Sequence, residues 1–150
     1  MKLRLLVVGR MIPELAGFES RISKRLTAAS WQLEVVELAE GRGKQSTQRM
    51  QDEEKNILKV AGPEFILLDE RGKSLTSRQW SNFFEQKPGN AQLDMVIGGA
   101  DGVSDRVRQL AAHIWSLSPL TLPHQLARVL VVEQFYRAYT ISAGHPYHRD

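Results

Sequence analysis

The chain has 150 residues, 42% hydrophobic and 25% charged, with a net charge of +3 and no cysteine. That length fits one domain, 1–150, with a full core. The lack of cysteine excludes disulfides, thiolate metal sites and a cysteine nucleophile, and suits a reducing compartment. No apolar run approaches the roughly 20 residues that cross a bilayer, so a cytoplasmic protein without a membrane partner is expected. The mild positive charge permits a nucleic-acid partner without demanding one.

Leu3, Leu5, Leu6, Val7 and Val8 form a nearly continuous apolar run that stops at Gly9. It reads as a strand buried on both faces, the kind found in parallel sheets, and not as a signal peptide. Residues 13–29 read as a helix whose inner stripe is Phe18, Ile22 and Leu26. Arg21, Lys24 and Arg25 crowd on it as a basic patch, for which a solvated helix face is the favoured account. Residues 32–38 are a second strand. The following Glu40-Gly-Arg-Gly-Lys-Gln-Ser46 suggests a phosphate loop but fails on spacing: Leu38 stands where Walker A needs its first glycine, and Gln45 where it needs Ser or Thr. A flexible basic loop with Arg42 and Lys44 is the better account. A polar helix over 48–61 comes next, then a strand over 64–69, a turn at 70–73, and a helix capped by Thr76 or Ser77.

A fourth strand over 93–97 ends in Gly98-Gly99. Ser104 caps a short helix, 113–117 is a fifth strand, and Pro123 opens a last helix reaching about residue 142. Strand and helix alternate throughout, which predicts an α/β fold with a mostly parallel sheet and helices on both faces. The last helix carries Leu126, Val129, Leu130, Val131, Val132, Phe135, Tyr136, Tyr139 and Ile141 over more than half its circumference. Its surplus apolar face, Val132 included, predicts either a homodimer or a helix buried within one domain.

Three pieces can carry chemistry. Gly98-Gly-Ala-Asp-Gly102 joins a strand to a helix; it is not the dinucleotide fingerprint, but its glycines allow a flat ligand close to the backbone. Ser116-Leu-Ser-Pro-Leu-Thr-Leu-Pro-His124 is an unusually apolar loop whose N–H and C=O groups need partners, which an adenine edge can supply between Leu117, Leu120 and Leu122. The tail Tyr147-His-Arg149 sets an aromatic ring, an imidazole and a guanidinium side by side, able to stack on a base, take a proton and hold a phosphate; the plain alternative is a frayed end. No His/Asp/Glu group has metal-ligand spacing, and there is no serine nucleophile elbow.

Together these segments resemble the RlmH (YbeA) family of small SPOUT-class methyltransferases. The likeness runs through Met1-Lys-Leu with Val8-Gly9, Gly41-Arg-Gly-Lys44, Leu68-Asp-Glu-Arg-Gly-Lys73, Ile97-Gly-Gly99, Leu120-Thr-Leu-Pro-His124, Arg128-Val-Leu130, Glu133, Tyr136-Arg-Ala138 and His145-Pro-Tyr-His-Arg149. The chain departs from the family at Arg21-Ile-Ser-Lys24, where members often have an aromatic. The resemblance implies a C-terminal trefoil knot and S-adenosylmethionine bound there by Leu68, Asp69, Gly99, Ser118, Pro119, Leu120, Thr121, Leu122 and Pro123. It implies a homodimer in which one subunit's tail closes over the other's cofactor, and methylation of N3 of a pseudouridine in large-subunit ribosomal RNA on the assembled ribosome. Tyr147, His148, Arg149 and Arg137 are then the candidates for stacking, proton removal and charge stabilisation, and Arg21, Lys24, Arg25, Arg42 and Lys44 for RNA contact. The rival expectation is a non-catalytic α/β module that binds RNA through those same five cations and takes no cofactor.

Overall fold

The computed structural model describes residues 1–150. Five strands form one parallel sheet in the order β2-β1-β4-β3-β5: β1 (Lys2–Val8), β2 (Gln32–Leu38), β3 (Phe65–Ser74), β4 (Gln92–Ile97) and β5 (His113–Ser116). Helices α1 (Pro13–Leu26) and α3 (Ser77–Glu85) both pack on α5 (His124–Ser142), and α2 (Ser46–Val60) packs with α4 (Asp105–Leu110). Alternation along β1 divides the core accordingly. Leu3, Leu5 and Val7 join Ile22, Trp80, Phe84 and Phe135, while Leu6 and Val8 join Ile57, Val103 and Val107. Burial on both faces is what the unbroken apolar run required.

Three positions depart from expectation. Residues 70–73 are not a turn: β3 runs on to Ser74 through a bulge, with Leu68 and Lys73 both opposite Trp115. Gly72 makes the bulge possible, since a Cβ there would stand 2.6 Å from the carbonyl carbon of Ile114. Phe18 is 39% exposed, and Glu19 takes the inner position beside Ile22 and Leu26. The Glu19 carboxylate receives Arg128 Nε and Nη2 at 2.7 Å each, and Arg128 Nη1 donates to Glu37 at 3.0 Å, so one buried guanidinium ties α1, β2 and α5 together. Lastly, Val132 is 0% exposed, which makes it a core residue and not part of an outer face. Most of the surplus apolar surface of α5 is covered within one chain; Leu126, at 38%, is its exposed large apolar residue.

Candidate active site

Strand order reverses at β3: β4 lies on one side of it and β5 on the other. Such a reversal opens a crevice at the carboxyl ends of the strands. A cavity of about 550 Å³ lies there, within the range of small-molecule sites. Its walls come from the β3 bulge (Leu68, Asp69, Arg71), the Gly98–Gly102 turn, the segment leaving β5 (Leu117, Ser118, Leu120, Thr121, Leu122) and the first turn of α5 (His124, Ala127). Of the nine residues expected to hold a cofactor, Leu68, Asp69, Gly99, Ser118, Leu120, Thr121 and Leu122 line this cavity, whereas Pro119 and Pro123 do not. His124, which the sequence places at a helix start, also lines it, as do Arg71, Asp101 and Arg108, which the sequence did not single out.

The apolar loop leaves its backbone open. Ser118 Oγ accepts from the Leu120 N–H at 3.0 Å, and the Ser118 carbonyl accepts from Ser116 Oγ at 2.9 Å. The backbone groups of Leu117, Thr121 and Leu122 enter no backbone–backbone hydrogen bond. His124 Nε2 is likewise buried without a protein partner. Donors and acceptors set unpaired among leucines are what a flat heteroaromatic ligand with polar edges requires.

The walls are pinned from behind. Asp69 accepts from the Arg71 N–H and from Arg108 Nε, both at 2.9 Å. Burial alone would raise its carboxyl, but these bonds outweigh burial and hold it below the ordinary carboxylate range. Its carboxylate is therefore the anchor of the bulge. Arg49 of α2 chelates Asp101 (2.7 and 3.1 Å) and also donates to the Gly43 and Lys44 carbonyls, so the basic loop and the cavity wall share one clamp.

Gly99 has a different reason than expected. A Cβ there would come within 2.9 Å of both Glu53 oxygens and 3.1 Å of Val8 Cγ1. Gly99→Val would damage packing before it touched a ligand. Glu53 is 4% exposed; its Oε1 accepts from the Gly41 N–H at 3.1 Å and its Oε2 has no partner. Burial pushes its carboxyl up, helped by the charges of Asp101 and Glu40, against the pull of the Gly41 N–H and Arg49. A raised folded-state carboxyl favours the fold below the unfolded value and loses that contribution as pH rises through the folded one. Glu53→Gln, which keeps the acceptor, should therefore raise Tm at pH 7–8 by more than at pH 4. A pH-independent difference between variant and wild type in thermal melts would refute this.

The tail is not frayed, and it lies far from its own cavity. Arg137 donates to Glu133 Oε1 and, at 3.1 Å, to His148 Nδ1; His148 Nε2 lies 2.8 Å from Asp150 Oδ1. The Tyr147 hydroxyl donates to Glu133 at 3.1 Å. Its ring packs on Tyr136 with centroids 4.8 Å apart, and Arg137 lies 5.0 Å from its centroid. Burial and the Glu133 charge raise the Tyr147 hydroxyl above its ordinary value. Arg149 is exposed and makes no side-chain bond, so of the two candidate cations it is the free one. No tail residue lines the cavity. At 1.5 Å per residue, the helix carries His124 and Arg137 about 20 Å apart. Arg21, Lys24 and Arg25 are exposed, with Arg25 set 5.7 Å from the Tyr136 ring, close to the tail; Arg42 and Lys44 are exposed at the cavity end instead. The five cations thus form two groups.

A family model described as "Predicted SPOUT methyltransferase" matches residues 1–148. The chain belongs to the SPOUT methyltransferase family. Ribosomal RNA large subunit methyltransferase H of Deinococcus radiodurans is 43% identical over 155 residues, covering 99% of both chains. The enzyme of the same name from Methylocella silvestris is 40% identical over 163 residues, covering all of both. Among solved structures, a tRNA (m1G37) methyltransferase of Aquifex aeolicus superposes with a TM-score of 0.59 over all of this chain and 76% of its own, at 15% identity. That likeness concerns the fold, and it agrees with the parallel α/β sheet of this SPOUT member.

Proposed function

We propose that the protein is an S-adenosylmethionine-dependent methyltransferase that modifies N3 of a pseudouridine in large-subunit ribosomal RNA, in the cytoplasm, as a homodimer with composite sites. The observation that carries this is the cavity at the strand reversal, where unpaired backbone groups of Leu117, Thr121 and Leu122 meet apolar walls. The relatives named ribosomal RNA large subunit methyltransferase H support the substrate class, since they match this chain end to end. The trefoil knot belongs to the same proposal. Residues 117–124 support it by crossing from the edge strand β5 past Glu70, which accepts from Thr121 Oγ1, to the neighbourhood of Gly9 at the end of β1.

When bound, S-adenosylmethionine supplies a methyl group activated by its sulfonium. Leu117, Thr121 and Leu122 would hold its base through their backbone, with Leu68 and Ile97 closing the apolar side. The work on RNA falls to the tail. An imide nitrogen such as N3 is protonated at neutral pH and attacks only after losing that proton. Arg149, unpaired, would face the anion that results, while Arg137 is already committed to Glu133 and His148. Because one chain's tail stands far from its own cavity, a second copy has to bring tail and cavity together. Holding both substrates in one frame then supplies much of the rate.

Calorimetric titration with S-adenosylmethionine tests the proposal against the non-catalytic RNA module. Binding in the micromolar range, about −8 kcal/mol, is expected. Leu122→Arg should abolish it: the long cation stands in the cavity wall and can still reach water, so the fold survives. No heat with the folded wild type would favour the binding module. For assembly, Leu126→Glu should shift the sedimentation profile from dimer towards monomer, because an unpaired charge resists burial. A wild type sedimenting as a monomer at micromolar concentration would sink the shared site.

A further inference from the structure

The contacts of His148 say more than that it belongs to the tail. A guanidinium has donors only, so Arg137 Nη1 must donate to Nδ1, and Nδ1 must be the unprotonated nitrogen. Nε2 then carries the hydrogen and donates to Asp150 at 2.8 Å. Asp150 is held in turn by Arg78 of α3, whose Nε donates to both of its carboxylate oxygens at 3.0 and 3.1 Å and whose Nη2 adds a third bond. A base in contact with RNA and free to rotate would lose this order; here three side chains, from α3, α5 and the tail, specify one ring orientation and one tautomer.

We propose that Asp150 and Arg78 are positioning residues for His148: Arg78 fixes the Asp150 carboxylate, Asp150 fixes the Nε2–H tautomer, and Nδ1 is left as the ring's one basic nitrogen. This rests on the assignment of His148 to the methyl-transfer site. As arranged, Nδ1 is masked by Arg137. When Arg137 turns away, Nδ1 would take the N3 proton, the N3 electron pair would form the bond to the methyl carbon as the donor's S–C bond breaks and its electron pair stays on sulfur, and Asp150 would stabilise the imidazolium through its Nε2–H. The chain of contacts explains why a carboxylate and an arginine outside the cavity belong to the reaction. Consistent with this, the Arg78 bonds, and after them the His148 contact, pull the Asp150 carboxyl down to about 2, so it stays charged wherever the protein works.

The test uses the full-length protein and four variants: Asp150→Ala, Asp150→Glu, Arg78→Gln and His148→Ala. Methyl transfer is followed on ribosomes lacking the modification, and nitrogen-15 shifts of the His148 ring are followed without substrate. In wild type the ring should show a single Nε2–H tautomer. In Asp150→Ala it should become a mixture; kcat should fall about ten-fold or more with cofactor affinity unchanged. Asp150→Glu should restore most of both. Arg78→Gln should act in the same direction but less, and add little on top of Asp150→Ala, as expected of residues working through one contact. An unaltered tautomer in Asp150→Ala overturns the proposal. If His148→Ala is crippled while Asp150→Ala is silent, the positioning claim alone fails; if His148→Ala is fully active, the assignment of the tail to methyl transfer fails with it.

Discussion

A chain shortened by residues 145–150 should fold, dimerise and bind S-adenosylmethionine like the full chain, yet lose methyl transfer by roughly 10²–10⁴-fold, the contribution typical of acid–base groups. Folding should survive because what the tail buries is mainly the packing of Tyr147 on Tyr136, while the core of Phe84, Phe135 and the β1 residues lies beneath. Binding should survive because no tail residue lines the cavity of its own chain. The decisive form of the experiment mixes the shortened subunit with Leu122→Arg. One lacks a tail and the other a usable cavity, so both homodimers are dead. If the tail serves the partner's cavity, a mixed dimer has one working site, and a random equal mixture recovers about a quarter of wild-type activity. If mixed dimers form and stay inactive, the composite site is wrong.

Much of this molecule could be read from its residues before any coordinates. The five strands and five helices stand close to where apolar periodicity and caps placed them, because those signals act within a few residues of one another. Thr76, for example, caps α3 through a box with Gln79. The cavity was legible for a related reason: glycines and an apolar loop with unspent backbone groups mark a strand end that expects company.

What stayed hidden depends on register between distant elements. Periodicity says that a helix has an inner face; it does not say what covers the outer one. Hence Val132 read as spare surface when it is fully buried in the main core, and Phe18 read as core when it is exposed. The bulge at 69–72 looked like a turn, since a glycine between charged residues gives the same local signal whether the strand ends or skips. Gly99 looked like room for a ligand when its missing Cβ makes room for Glu53, a residue 46 positions away by sequence number. Asp69 with Arg108, and His148 with Asp150 and Arg78, are side-chain pairings that only the packed chain assembles.

The same blindness concealed the contact whose loss should cost the most. Glu19 and Arg128 lie 109 residues apart in sequence, and both are buried. Removing the cation alone, as in Arg128→Met, leaves a carboxylate in the interior with its two shortest bonds gone, a change that typically costs about 3–5 kcal/mol. For a chain of this size that is a fall in Tm of roughly 6–20 °C, read by calorimetry or circular dichroism. The double variant Glu19→Leu/Arg128→Met should recover most of the loss, because an apolar pair of similar bulk needs no solvation and desolvating two charges is itself costly. Arg128 lies one turn beyond His124, and the methionine chain can fill the space of its stem, so the cavity should keep its shape in the double variant. Cofactor affinity there should stay within a few-fold of wild type. A single variant destabilised by less than about 1 kcal/mol would mean that water reaches Glu19 and that the pair is not sealed. A double variant no better than the single would mean that Glu37, left without its 3.0 Å bond to Arg128, carries the loss instead.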